Sequence, residues 1–188
     1  MDLKILRCLP NLRRLKVFTS SLNDSIDFLN QLESLKLQTY DIWSSLISLP
    51  LNLKQLTLVG AHMSPEQMDI IGKLEYLEVL KLQTVDFEGN QWDTIEGGFP
   101  QLKFLKLRKV QIEEWNTSSD HFPILQRLVL QSCDSLKMIP PILGDIPTLQ
   151  MIKVYKCAKA IKDSAKKIQE EPQDNGNEEL KFIIIPDY

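Results

Sequence analysis

Large rings are scarce in this chain: Phe, Trp and Tyr together fill 14 of 188 positions, whereas leucine alone fills 30. The scarcity argues for a core built from leucine repetition rather than from a few large rings. Cysteine is scarcer still. Cys8, Cys133 and Cys157 are odd in number and show no CxxC spacing, which argues against a disulfide framework and for reduced thiols; Cys133 and Cys157, at the ninth position of consecutive units, read as buried packing residues and near neighbours. An excess of positive charge is also missing, because 22 Lys+Arg against 25 Asp+Glu leave a net charge of −3. Composition therefore gives no reason to expect a nucleic-acid or membrane-surface binder, and any basic surface must be local. The longest clean apolar run, Phe182-Ile183-Ile184-Ile185, falls far short of the roughly 20 residues of a bilayer-spanning helix. Met1 to Pro10 lacks the basic, then apolar, then small-residue pattern of a secretory signal. His62 and His121 stand far apart with no H-x-x-x-H or cysteine cluster, so they read as solvent-facing loop residues rather than metal ligands.

What is present is a repeat. The pattern L-x-x-L-x-L recurs as Leu12/Leu15/Val17, Leu32/Leu35/Leu37, Leu53/Leu56/Leu58, Leu77/Leu80/Leu82, Leu102/Leu105/Leu107, Leu125/Leu128/Leu130 and Leu149/Ile152/Val154. Successive first positions lie 20, 21, 24, 25, 23 and 24 residues apart, within the range of a leucine-rich repeat. An eighth match, Leu180/Ile183/Ile185, is the expected closing strand. The fourth and sixth positions of each unit lie two apart on a short strand and point to one face, while the first reaches the same core from the preceding loop. One such strand cannot bury its apolar side alone, so units must stack in parallel register. The expected fold is an α/β leucine-rich-repeat solenoid, a horseshoe with a parallel concave sheet and short helical, 3₁₀ or extended returns on the convex side.

The returns carry their own signals. Ser64-Pro65 reads as N-cap and first helical residue, with Met68, Ile71 and Leu74 at helical spacing. The stretch holding Leu136, Ile139, Pro140, Leu143 and Pro147 is too proline-rich for a long helix and reads as extended or 3₁₀. Pro50, Pro100, Pro123 and Pro147 mark the turn back into a strand. Ile5, Leu6 and Leu9 look like the convex half of a unit whose strand is missing, as if the chain were cut from a longer solenoid. Residues 1–157 are thus expected to form about seven units, the first truncated. Residues 158–188 are expected to form a cap: a helix over Ala158 to Glu171 with Ile161, Ala165 and Ile168 on one face, a turn at Pro172 and Asn175-Gly176-Asn177, and a closing strand.

The third, fifth and seventh positions of each unit point away from the leucines onto the concave sheet. Among the 21 such positions are eight basic residues, Arg14, Lys16, Lys36, Lys81, Lys106, Arg108, Arg127 and Lys153, and no acid. Acids gather instead on returns and loops, for example Asp24, Asp27, Glu66, Asp69, Asp86, Glu88, Asp93, Glu113, Glu114 and Asp120. Strands disfavour Asp and Glu in any case, and lysine also blocks unwanted strand pairing. Like charges on successive strands nevertheless repel, a cost that an acidic partner would relieve. The candidate protein-binding face is these eight cations with Phe18, Phe104 and Tyr155 as apolar anchors.

The C-terminal third is more specific than the repeat. Leu125-Gln126-Arg127-Leu128-Val129-Leu130-Gln131-Ser132-Cys133, Leu136-Lys137-Met138-Ile139-Pro140-Pro141, Ile146-Pro147-Thr148-Leu149-Gln150-Met151-Ile152, Cys157 and Ser164-Ala165-Lys166-Lys167-Ile168-Gln169-Glu170-Glu171 with Gly176-Asn177 closely resemble the C-terminal end of plant intracellular nucleotide-binding leucine-rich-repeat immune receptors. The resemblance is to the coiled-coil class, similar to the late blight resistance proteins of the nightshade family, and it covers essentially the whole chain. It implies a non-catalytic sensing and restraint module of a cytoplasmic receptor that triggers defence and hypersensitive cell death, compatible with peripheral membrane association of the full-length receptor. Its implied partners are the receptor's own nucleotide-binding region or a pathogen effector. ADP and ATP are bound in that family by a separate ATPase domain; this chain has no G-x-x-x-x-G-K-[ST] loop, and no cofactor is expected in it.

Two other classes stay open on sequence. Plant F-box adaptors for ubiquitin ligation also carry irregular cytosolic repeats. Secreted enzyme-inhibitor solenoids favour regular 24-residue units with Asn at the ninth position, where this chain has Ser20, Tyr40, Ala61, Val85, Val110, Cys133 and Cys157. The sequons Asn23-Asp24-Ser25 and Asn116-Thr117-Ser118 carry little weight without a secretory signal.

Overall fold

A computed structural model describes residues 3–18, 25–38, 48–170 and 180–185. In chain order the strands are β1 (Arg14–Phe18), β2 (Ser34–Gln38), β3 (Gln55–Val59), β4 (His62–Met63), β5 (Val79–Gln83), β6 (Asp86–Phe87), β7 (Gln91–Asp93), β8 (Phe104–Arg108), β9 (Glu114–Asn116), β10 (Arg127–Gln131), β11 (Met151–Tyr155) and β12 (Lys181–Ile185). Among the described residues two α-helices, α1 (Pro65–Gly72) and α2 (Lys159–Glu170), lie in the returns with short 3₁₀ turns.

Eight strands form one parallel sheet in the order β1-β2-β3-β5-β8-β10-β11-β12. Register is constant: Leu35, Leu56, Leu80, Leu105, Leu128 and Ile152 pair in succession, as do Leu37, Leu58, Leu82, Leu107, Leu130 and Val154. From Leu53 to Val154 every leucine-pattern side chain is fully buried, so neighbouring units share one apolar column. Burial of each such side chain stabilises by about 1.5–3 kcal/mol.

The backbone repeats as faithfully as the leucines. A turn closes ahead of each unit through an amide–carbonyl bond between residues three apart, as in Leu102 N–H to Phe99 O (3.2 Å), Leu125 to Phe122 (3.2 Å) and Leu149 to Ile146 (3.1 Å). Pro100, Pro123 and Pro147 stand at the second turn position, where a fixed φ is favourable. After the strand, the eighth position takes the left-handed conformation in five consecutive units: Gly60, Thr84, Lys109, Ser132 and Lys156 all have φ between 50° and 74°. That bend lets each amide from Gly60 to Ser132 extend the ladder to the next strand, for example Thr84 N–H to Arg108 O at 2.8 Å. Only one of the five is glycine, so the others hold a conformation that costs L-residues roughly 1–2 kcal/mol.

Helix α1 starts as its sequence indicates. Ser64 is the N-cap with a reciprocal Gln67 bond, Pro65 opens the first turn, and Met68, Ile71 and Leu74 are buried. The Pro141–Asp145 stretch is 3₁₀, and α2 buries Ile161, Ala165 and Ile168. Ser164 Oγ at 3.0 Å accepts the Ile139 N–H, tying α2 to the preceding return. Leu6 is buried, while Ile5 and Leu9 are exposed, so only part of that apolar triplet reaches a core. Positions Ser20, Tyr40, Asn23, Asp24 and the expected turn at 172–177 lie outside the described residues.

Three expectations need correction. The closing strand is slipped by one residue: Phe182 pairs with Ile152 and Ile184 with Val154, so these two face the core while Ile183 and Ile185 join the concave face. Both alternations of the run are apolar, and the register places the large ring inside. Large rings also matter more than their number suggests. Phe87, Trp92, Phe99, Trp115 and Phe122 form one contiguous block in the convex half, with Trp92 stacked on Trp115 (5.0 Å, 8°) and Phe99 on Phe122 (5.1 Å, 19°). Short strands β7 and β9 pair there and bring the two indoles together. The histidines are not simply solvent-facing. His62 is half-buried in β4, and His121 is half-buried with Nδ1 2.7 Å from Thr94 Oγ1.

Candidate protein-recognition surface

Strand alternation turns the third, fifth and seventh positions of every unit outward, and none of them is fully buried. Lys16 pairs directly with Lys36, and Lys81 with Lys106; Thr57 separates those two pairs, and Val129 separates Lys106 from Lys153. Arg14 and Arg127 are exposed at third positions and Arg108 at a seventh. None of these eight cations forms an ion pair with another described residue. The slip in β12 adds Lys181 to the basic set and puts Ile183 and Ile185 beside Lys153 and Tyr155. A frame read from the leucine pattern alone missed these three.

The anchors sit among the lysines. Lys16 Nζ lies 4.6 Å from the Phe18 ring centre, Lys81 Nζ 5.7 Å from that of Phe104, and Lys156 Nζ 5.3 Å from that of Tyr155. Such cation–ring contacts hold the lysines over the face at about 0.5–1 kcal/mol each when exposed. Phe18 is well exposed, Phe104 and Tyr155 half-buried. Burial, then the charges of Arg108, Lys81 and Lys153, push the Lys106 pKa below the ordinary lysine value. The centre of the face is thus a site where positive charge is crowded.

Acids are kept to the flanks. The second positions of the first five units alternate in sign: Arg13 and Lys54 reach Glu33 Oε1 at 3.1 and 3.6 Å, and Lys103 reaches Glu78 at 3.1 Å. The alternation of sign is legible in the sequence once the second position is read as a column. On the returns Lys137 Nζ lies 2.9 Å from Glu114 and 3.4 Å from Glu113, which raises its pKa. Asp86, Asp93 and Glu114 are exposed on β6, β7 and β9.

No group of three His, Cys, Asp or Glu side chains that could hold a metal occurs among the described residues. Gly60, Gly89 and Gly97 occupy positive-φ turns, and α1 and α2 begin without glycine in their first turns. A cleft of about 760 Å³ lies on the mixed-charge flank between Lys54, Lys73, Tyr76 and Glu78, away from the concave cations. Among the described residues, no helix is long and apolar enough to cross a membrane.

No family model matches the chain. Its sequence is 38% identical over 96% of its length to a putative late blight resistance protein homologue of Solanum demissum, and equally so to a second such homologue of the same plant. The chain spans about 15% of the length of the first and about 25% of the second. In three dimensions it is similar to the leucine-rich repeat domain of the type III effector XCV3220 (XopL), with TM-score 0.62, 18% identity, 85% of this chain covered and 57% of the other. At that identity the likeness shows the fold alone. Repeat, register and structural likeness make this chain a leucine-rich-repeat solenoid, and its sequence is similar to one stretch of plant late blight resistance protein homologues.

Proposed function

We propose that the chain is a non-catalytic recognition module of a cytoplasmic resistance receptor, and that its concave face docks an acidic protein surface. The observation that carries this is the concentration of eight cations, Arg14, Lys16, Lys36, Lys81, Lys106, Arg108, Arg127 and Lys153, without an ion pair to any other described residue, on strand positions that carry no acid. Phe18, Phe104 and Tyr155 supply apolar contact within it. The acidic partner is the receptor's own nucleotide-binding region, held by this face at rest, or a pathogen effector. Nucleotide binding, restraint and cell-death signalling belong on this reading to the complete receptor.

Charge patterning of this kind acts mainly on association rate and selectivity. Reversing Lys81 and Lys106 together, as K81E/K106E, places two acids on adjacent central strands. The variant is expected to bind the separately expressed nucleotide-binding region or the cognate effector at least tenfold more weakly, with the loss mainly in the on-rate. Unchanged affinity for both proteins would refute this use of the face. An F-box adaptor would instead bind its substrate without any contact to a nucleotide-binding region.

A further inference from the structure

Two nucleophilic side chains take no part in the concave face. Cys133 and Cys157 hold the same place in consecutive units, each two residues beyond the paired Gln131 and Tyr155. Adjacent strands are about 4.8 Å apart, inside the roughly 4.4–6.8 Å between Cα atoms that a disulfide spans. Both thiols are buried, each in the bend that follows one of two directly paired strands. Cys133 Sγ also lies 3.5 Å from Leu107 O, and Cys157 Sγ lies 3.4 Å from Tyr155 O. The preceding units carry Ala61, Val85 and Val110 at this place, so the paired thiols occur only where these two units meet.

The two sulfurs are not equivalent. The Cys133 thiol and then the Cys133 backbone N–H face the Cys157 sulfur and favour its thiolate against burial and the nearby Asp134 charge, lowering its pKa to about 7. The same contact, together with deeper burial, pushes Cys133 up and keeps it protonated. Two buried thiols at one place in adjacent units put a resolving sulfur beside whichever is oxidised first, and the lowered pKa favours Cys157 as the first.

We propose that Cys133 and Cys157 form a dithiol that a hydroperoxide oxidises to a disulfide linking the two units. The Cys157 thiolate attacks one oxygen of hydrogen peroxide; the O–O bond breaks, and the departing hydroxide takes up the proton released by Cys157 to give water. Cys157 is then a sulfenic acid, oxidised by two electrons. The Cys133 sulfur attacks Cys157 Sγ, the S–O bond breaks, and the hydroxide leaves as a second water with the Cys133 proton. The sum is two thiols plus one peroxide giving one disulfide and two waters. Depth of burial makes the reaction wait on a local opening of these units, so it is slow compared with oxidation of an exposed thiol.

The test uses the folded 188-residue chain, oxidised with hydrogen peroxide, alkylated, and digested without reductant. The expected product is a cross-linked peptide pair containing Cys133 and Cys157, a mass loss of two hydrogens, and free thiols in denaturant falling from three toward one. Dithiothreitol is expected to restore the thiols, and the oxidised chain to melt a few degrees higher because a loop of the unfolded chain is closed. In Cys133→Ala the reaction is expected to stop at a Cys157 sulfenic acid trapped by dimedone. Should that variant fail to fold, the cross-linked peptide from the unsubstituted chain still decides. Oxidation confined to the exposed Cys8, a Cys8 disulfide between two copies, or independent over-oxidation of both buried thiols would overturn the proposal.

Discussion

Lys106→Met should make the isolated solenoid more stable, although it removes a polar surface residue. Lys106 lies on β8 beside Lys81 of β5, with Arg108 two residues along the same face and Lys153 two strands away. Burial and these three charges, in that order with Arg108 first among the cations, hold its pKa below the usual lysine value. The folded chain therefore disfavours the ammonium relative to the unfolded chain. Like charges paired across strands cost roughly 0.2–1 kcal/mol, and more distant cations are attenuated by water and a Debye length of about 8 Å. Together they give about 0.5–1 kcal/mol, or an apparent Tm gain of roughly 1–4 °C for a chain of this size. Methionine keeps the length of the stem, so little packing is lost.

The assay is thermal unfolding at low and at high salt. The gain is expected at low salt and should shrink near 1 M, where the Debye length is about 3 Å. The same exchange at Lys103, which pairs with Glu78, should bring no gain. The pH dependence has a definite sign. Between the lowered folded-state pKa of Lys106 and its unfolded value near 10.5, the native chain holds fewer protons than the unfolded one. Stability therefore rises with pH through that window, with the repulsion fully present below it. A Lys106→Met chain that is no more stable than the parent, or whose gain ignores salt, would refute the reasoning.

Two further substitutions probe the fold. Thr84→Gly should stabilise by about 1 kcal/mol, because a β-branched residue at φ 51° gives way to one that accepts the left-handed region, partly offset by unfolded-state entropy; chemical denaturation of the pair checks this. Phe182→Ser should destabilise the cap by about 1–3 kcal/mol while Ile183→Ser stays within about 0.5 kcal/mol. Amide exchange of α2 and β12 reads the difference, and the reverse order would restore the frame in which Ile183 faces inward.

The recurring leucines made the parallel sheet legible because a side chain that must reach a shared column can tolerate no drift in strand register. The basic face followed from the same numbering, since Lys81 and Lys106 can only point opposite to Leu80 and Leu105. The closing strand was harder. Phe182 to Ile185 is apolar at every residue, and the choice between two alternations is made by the tertiary packing of Phe182 and Ile184 against the last unit. The aromatic block was also hidden, because Phe87, Trp92 and Trp115 lie in returns of unequal length with no fixed spacing from the leucines. The charge ladder of Arg13, Glu33, Lys54, Glu78 and Lys103 was readable but requires attention to the second position, which neither the core nor the concave face uses.

The most direct test of the recognition account is the association rate of this chain with the separately expressed nucleotide-binding region, and with the cognate effector, measured across a series of salt concentrations. The account predicts a rate that falls steeply as salt rises for at least one of these proteins, and a shallower dependence for K81E/K106E. It would be contradicted by binding whose rate ignores both salt and the double reversal, or by an equal loss when the off-face lysines Lys103 and Lys137 are reversed instead.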